Sequence, residues 1–172
     1  MKQESEYNME RKLAIVTDSS CDIPQELAEK YGIDIIDFPI NLDGKEYYER
    51  HDLTLDEFYE LMRQAQGVPT TAAITMLQWQ EVYEKYADEG YTDVLHVSIN
   101  STGASTYANA MQAAKNLAET RPDSGMKVHL VDSHTYSMVF GWYLCECARK
   151  LRNGGELRAC VQELESKLAR VE

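Results

Sequence analysis

The sequence is poor in positive charge, in paired cysteines and in long apolar runs. Its 172 residues carry 17 Lys and Arg against 29 Asp and Glu, a formal charge of -12. Such a chain repels a polyphosphate backbone, and no basic patch relieves the acidity, which excludes nucleic acid as a partner. The longest nearly unbroken apolar stretch, Met138 to Cys145, falls far short of the roughly 20 residues needed to span a membrane. The opening MKQESEYNMER is polar and lacks the apolar core and cleavage site of a secretory signal, so residues 1–11 read as a flexible leader to one domain over 12–172. Cys21, Cys145, Cys147 and Cys160 form no CxxC pair, as expected of a reduced, cytoplasmic chain. None of His51, His96, His129 and His134 has a second histidine four residues on, so no metal site is expected. The glycine signatures GxGxxG and GxxxxGK[ST] are missing, which removes the usual grounds for a nucleotide cofactor. No GxSxG elbow surrounds a serine.

What is present is a globular composition, 44% hydrophobic and 27% charged, ordered as strands alternating with helices. Leu13 to Thr17 is a β-branched apolar run, and Asp22-Ile23-Pro24 with Gly32 bracket an amphipathic helix. Ile33 to Leu42 reads as one strand turning at Asp43-Gly44 into Lys45 to Glu49. Leu55, Phe58, Tyr59 and Met62 share a helical face, with Thr54 and Glu57 as a capping box. A loop ending in Val68-Pro69-Thr70-Thr71 precedes a helix that carries Met76, Trp79, Tyr83 and Tyr86 and stops at Gly90. Strands are expected over Asp93 to Ile99 and Lys127 to Val131. Between them lies a helix marked by Tyr107, Ala110, Met111, Ala114 and Leu117. Helices from Ser137 to Arg152 and through Leu157, Cys160, Leu164 and Leu168 close the chain. Strands separated by helices imply right-handed crossovers, hence an α/β fold with a mainly parallel sheet and helices on both faces.

In such a sheet ligands sit beyond the carboxyl ends of the strands. Thr17-Asp18-Ser19-Ser20, Asn100 to Thr106 and Asp132-Ser133 end strands there, and Pro69-Thr70-Thr71 is a fourth contributor. The Asn100 to Thr106 loop holds four hydroxyl side chains and Gly103 at a helix start, where free N–H groups favour an anion. Two readings stand side by side: a receptor for a carboxylate or other anion, or Ser101 or Ser105 capping the helix for about 1 kcal/mol. Cys21, Asp18 and His134 are the reactive side chains nearest these loops, and they leave open an enzyme acting on a small anionic substrate.

Four segments in order resemble one family: TDSSCDIPQELAEKYGIDIIDFPINLDGKEYYE, VPTTAAI, SINSTGASTYANAMQAA and VDSHTYSMVFGWYLCECARKLRNGG. The chain is similar to the DegV family from about Leu13 onward. The resemblance implies the amino-terminal α/β domain of a protein that binds a long-chain fatty acid by its carboxylate and presents it to a separate fatty acid kinase. By the same resemblance the chain has no catalysis and no cofactor of its own. Thr71 matches the family's threonine loop, and Ser101 with Ser105-Thr106-Tyr107 its serine-rich loop, so Thr71, Ser101, Ser105 and Thr106 are the expected ligand contacts. The face of Tyr107, Ala110 and Met111 is expected near the acyl tail. Ala72, Ile74, Ala104 and Ser105 depart from the family's usual hydroxyl residue, proline, serine and glycine at those places, and at Ala72 and Ala104 the departure removes a hydroxyl from the site. Family members continue into a second domain that is absent here. Its absence implies an uncovered apolar face through which the chain pairs with another copy, or an orphan interaction domain.

Overall fold

The computed structural model describes residues 11–171. The leader read over 1–11 lies outside them except for Arg11, whose guanidinium pairs with Asp93 at 3.2 Å. Strand β1 (Leu13–Asp18) leads through a 3-10 turn (Ser19–Cys21) to helix α1 (Gln25–Tyr31) and strand β2 (Ile33–Ile36). Strands β3 (Pro39–Leu42) and β4 (Lys45–Tyr48), helix α2 (Leu55–Gln64) and the short strand β5 (Thr70–Thr71) follow. Then come α3 (Met76–Asp88), β6 (Asp93–Ser98), α4 (Thr106–Thr120), β7 (Lys127–Asp132), α5 (Met138–Arg152) and α6 (Leu157–Leu168).

The central sheet has the order β2-β1-β6-β7 and every pairing in it is parallel. Side chains alternate across it with the period of two that a strand imposes. Ile15, Leu95 and Val97 face α1, α5 and α6, packing with Ala28, Phe140, Leu144 and Leu164. Ala14, Val16 and Val94 face α3 and α4, packing with Trp79, Tyr83, Ala110, Ala113 and Leu117. The sheet is thus covered on both sides, which is why β6 is buried at all six positions.

Two expectations need correction. The single strand over Ile33 to Leu42 divides: β2 joins the parallel sheet beside β1, whereas β3 leaves it for a second, antiparallel sheet ordered β4-β3-β5. The cause is local. The Phe38 N–H donates to the Ser19 hydroxyl at 3.0 Å, and Pro39 has no N–H to offer, so the ladder cannot run through this point. The Thr70-Thr71 loop is also a strand, paired with Asn41 and Ile40.

Two smaller readings shift as well. The buried face of α4 runs through Thr106, Ala110, Ala113 and Leu117, leaving Met111 exposed. Helix α2 has the expected capping box, with Glu57 N–H donating to Thr54 Oγ1, yet none of its residues is buried.

Candidate functional site

Because β1 connects to β2 on one side and β6 lies on its other side, the chain reverses its direction of winding between β1 and β6. A crevice is expected beyond the carboxyl ends of those two strands. A cleft of about 510 Å³ opens there, lined by Ser20 and Asp22 after β1, Ile99 after β6, and Gly103 and Ala104 before α4. Phe38 just before β3, Glu49 just after β4, Thr71 of β5 with Ala72 and Ala73 after it, and Tyr136 and Ser137 before α5 complete the lining.

Hydrogen bonds fix these loops in place. Asp18 at the tip of β1 is fully buried, and its Oδ2 accepts the Ile99 N–H at 2.8 Å, tying β1 to the exit of β6. Burial pushes the Asp18 carboxyl above its usual range, and the bonds from Ser20, Ile99 and Ser98 oppose that shift. The Asn100 side chain accepts from Thr102 N–H and hydroxyl at 2.9 and 2.8 Å, closing a tight turn. The Asn100 N–H donates to the Thr135 carbonyl at 3.2 Å, and the Ser101 N–H to Asp132 Oδ1 at 3.1 Å, so the loops after β6 and β7 are laced together. The second sheet is held by Ser19, whose hydroxyl donates to Glu49 Oε2 at 2.6 Å.

Ser137 adopts φ 62 and ψ -160, a region strained for any residue with a side chain. Its hydroxyl donates to Asp22, itself in the left-handed region at φ 51. A strained pair of residues 115 positions apart therefore forms one wall of the cleft. Gly103 forms another, because a methyl group there would overlap the Tyr136 hydroxyl.

Of the residues expected to bind a ligand, Thr71 lines the cleft and is exposed. Ser101 and Ser105 are exposed on the loop that contributes Gly103 and Ala104 but are not among the lining residues. Ser105 stands at the start of α4 without a side-chain bond to the helix. Thr106 is fully buried, and its hydroxyl has no hydrogen-bond partner among the described residues. Ala72 and Ala104, which stand where hydroxyls were expected, face the cleft as apolar lining. Ser20, Asp22, Glu49, Tyr136 and Ser137 belong to the lining and were not singled out individually as ligand contacts. Ser20 lay within a strand-end loop already noted, but nothing local marks Glu49 or Ser137, which the crossovers alone bring together.

The reactive side chains considered for catalysis are poorly placed for it. Cys21 is fully buried and burial pushes its thiol up to about 12, the direction that keeps it protonated and inert. His134 is exposed and paired with Asp132 at 3.3 Å, outside the cleft lining. Among the described residues no group of three or more His, Cys, Asp or Glu side chains is arranged to hold a metal ion. No helix among them is long and apolar enough to cross a membrane.

Comparison with known proteins places the fold in a family. A family model described as an uncharacterised protein of the DegV family matches residues 12–172. A DegV domain-containing protein of Staphylococcus aureus is 30% identical over 154 residues, covering 89% of this chain and 51% of that protein. A DegV family protein from Thermus thermophilus, described by its fatty acid binding, superposes with a TM-score of 0.78 at 26% identity over 92% of this chain and 54% of that one. A DegV lipid binding protein from Thermotoga maritima gives 0.81 at 27% identity, over 92% and 54%. The chain spans about half the length of the curated relatives it matches.

Proposed function

The chain belongs to the DegV family, and from that premise we propose that it holds a long-chain fatty acid by its carboxyl group in the cleft above β1 and β6 and presents it to a separate fatty acid kinase. The observation that carries this reading is the make-up of the cleft. Hydroxyls of Ser20, Thr71 and Ser137 stand beside the apolar surfaces of Phe38, Ala72, Ala73, Ile99 and Ala104. A polar head needs hydrogen-bond partners when it leaves water: Thr71 has a proton to donate, whereas Ser20 and Ser137, which already donate to Asp18 and Asp22, offer lone pairs. An acyl tail gains about 0.8 kcal/mol for each CH₂ it buries. Most of the affinity thus comes from the tail, and the hydroxyls fix orientation.

Thr71 meets the head at the rim. Thr106 offers the one buried hydroxyl left unpartnered nearby, and Ser101 and Ser105 complete the loop between them. The fatty acid binding described for the Thermus thermophilus relative and the lipid binding described for the Thermotoga maritima one support the same ligand class. On this reading the protein is a cytoplasmic binding subunit, phosphoryl transfer belongs to the kinase, and the open side of the cleft is covered by a further domain or a second copy.

Extraction of the purified protein into organic solvent, followed by mass spectrometry, is expected to recover long-chain fatty acid. Thr71→Val, which keeps the side chain's shape, is expected to lower retention about three- to tenfold, the worth of one hydrogen bond of about 1 kcal/mol. A protein that neither retains nor takes up any fatty acid removes the proposal.

A further inference from the structure

The charges around the cleft are one-sided. Asp22, Glu49 and the Tyr136 phenol are the titratable groups of its lining, and among the described residues that lining includes no Lys, Arg or His. Neighbouring elements do not correct this. Arg50, next to Glu49, turns away to donate to the Ile23 carbonyl at 2.9 Å and Gln25 Oε1 at 3.1 Å, and with His51 and Asp37 it lines a separate cavity. His134, from the loop after β7, is taken up by Asp132.

Behind the lining, β1 contributes the buried carboxyl of Asp18, and the 3-10 turn after it the buried thiol of Cys21. The stretch between β2 and β3 contributes Asp37, whose carboxyl burial raises to about 6. From α4, Tyr107 is raised by burial first and then by the nearby charge of Asp132. The amino end of α4 offers about half a positive charge, against the two acidic side chains of Asp22 and Glu49. Both carboxylates are held in place by hydroxyls, Glu49 by Ser19 and Asp22 by Ser137, and both residues line the cleft. Like charges that share a site disfavour one another's ionised form.

Resting on the acyl-binding reading, we infer that the cleft takes its ligand with an uncharged head: the protonated acid in preference to the carboxylate, and a primary amide of the same chain as its neutral equivalent. Binding of the acid is then coupled to proton uptake, and it strengthens as the pH falls.

Decanoic acid and decanamide are the probes, titrated calorimetrically into the full chain at about pH 6 and about pH 8. A ligand bound only in its protonated form weakens roughly tenfold for each pH unit above its own pKa, so decanoic acid should lose about a hundredfold between the two conditions. Decanamide should hold within about twofold, since its head does not titrate. The double variant Asp22→Asn, Glu49→Gln keeps acceptors for both hydroxyls and should restore about tenfold or more of the acid's affinity at the higher pH. Equal affinity of decanoic acid at both pH values overturns the inference while acyl binding stands. A pH dependence left unchanged by the double variant also overturns it. Failure of both probes at either pH sinks the acyl-binding reading itself.

Discussion

His96 lies in β6 with its ring 4.1 Å from that of Trp79 and its Nδ1 2.6 Å from the Tyr83 hydroxyl, and none of it reaches solvent. Its place within the apolar run DVLHVSI made a packed histidine legible from sequence, because alternation puts position 96 on the same face as Val94. Burial lowers its pKa from 6.5 to about 3. The folded chain therefore refuses a proton that the unfolded chain accepts. The stability due to the neutral ring is fully present above pH 6.5 and is lost as pH falls through the window down to about 3. The loss approaches about 1.4 kcal/mol per pH unit, hence about 2 kcal/mol by about pH 5. His96→Gln retains a partner for Tyr83 and cannot titrate. Urea unfolding between about pH 7.5 and about pH 5 should show this sensitivity in the parent protein and its absence in the variant, at some general cost in packing. Equal slopes for the two proteins would mean that His96 takes up its proton in the folded state. The cleft was less readable at this scale: Asp22 and Ser137 meet only because α5 starts beside the turn that follows β1, and no local pattern joins them.

Among the secondary-structure elements, those with a capping box or a clean apolar period matched their expected limits closely. Thr54 with Glu57 and Thr75 with Gln78 each satisfy free amide groups at a helix start, a bond contained within four residues. Asp43-Gly44 turns the β3–β4 hairpin with both residues at positive φ, 51 and 80, as its sequence demands. The division after β2 was not legible, since it depends on the Ser19 hydroxyl 19 residues earlier. Helix α5 holds a comparable long-range dependence in Gly141. Alanine is the better helix former there by about 1 kcal/mol. Yet a Cβ at 141 would overlap the Cys21 carbonyl oxygen and come within 2.9 Å of Ile23 Cγ1. The first obstacle is backbone, which cannot swing aside as a side-chain tip does. Gly141→Ala is therefore expected to destabilise the protein by about 1–3 kcal/mol, read as a lower urea midpoint with unchanged slope. A stabilised variant would show that the turn after β1 yields easily, and with it the wall formed by Asp22 and Ser137.

The molecule as a whole joins two sheets of unequal burial. The parallel sheet is enclosed by five helices among the described residues, and its class followed from the alternation of strands and helices. Its order, with β1 central beside β6, did not follow, because periodicity carries no information about which strand lies next to which. The antiparallel sheet is covered less: its Tyr48 shares a groove with Gln78 and Val82 of α3, and α2 lies beside Ile40 and Tyr47. That helix buries none of its residues, and Leu55, Tyr59 and nearby Val68 are 67%, 49% and 86% exposed. Few apolar contacts then oppose its local opening, whereas opening β6 requires dismantling both cores. Hydrogen exchange should separate the two regions. Amides of β1 and β6 are expected to exchange only through global unfolding, and those of α2 and β4 at least about a hundredfold faster through local opening. The cleft sits on the seam, with Thr71 of the small sheet and Phe38 and Glu49 at the ends of its strands on one side, and Ile99, Gly103 and Ser137 from the loops beyond the large sheet on the other. A ligand that bridges the seam must slow exchange in α2 and β4 toward the rate of the parallel sheet, since it binds only when both sides are in place. Protection that is uniform without ligand would show instead that the two sheets open as one unit, and that the seam has no independent motion for a ligand to arrest.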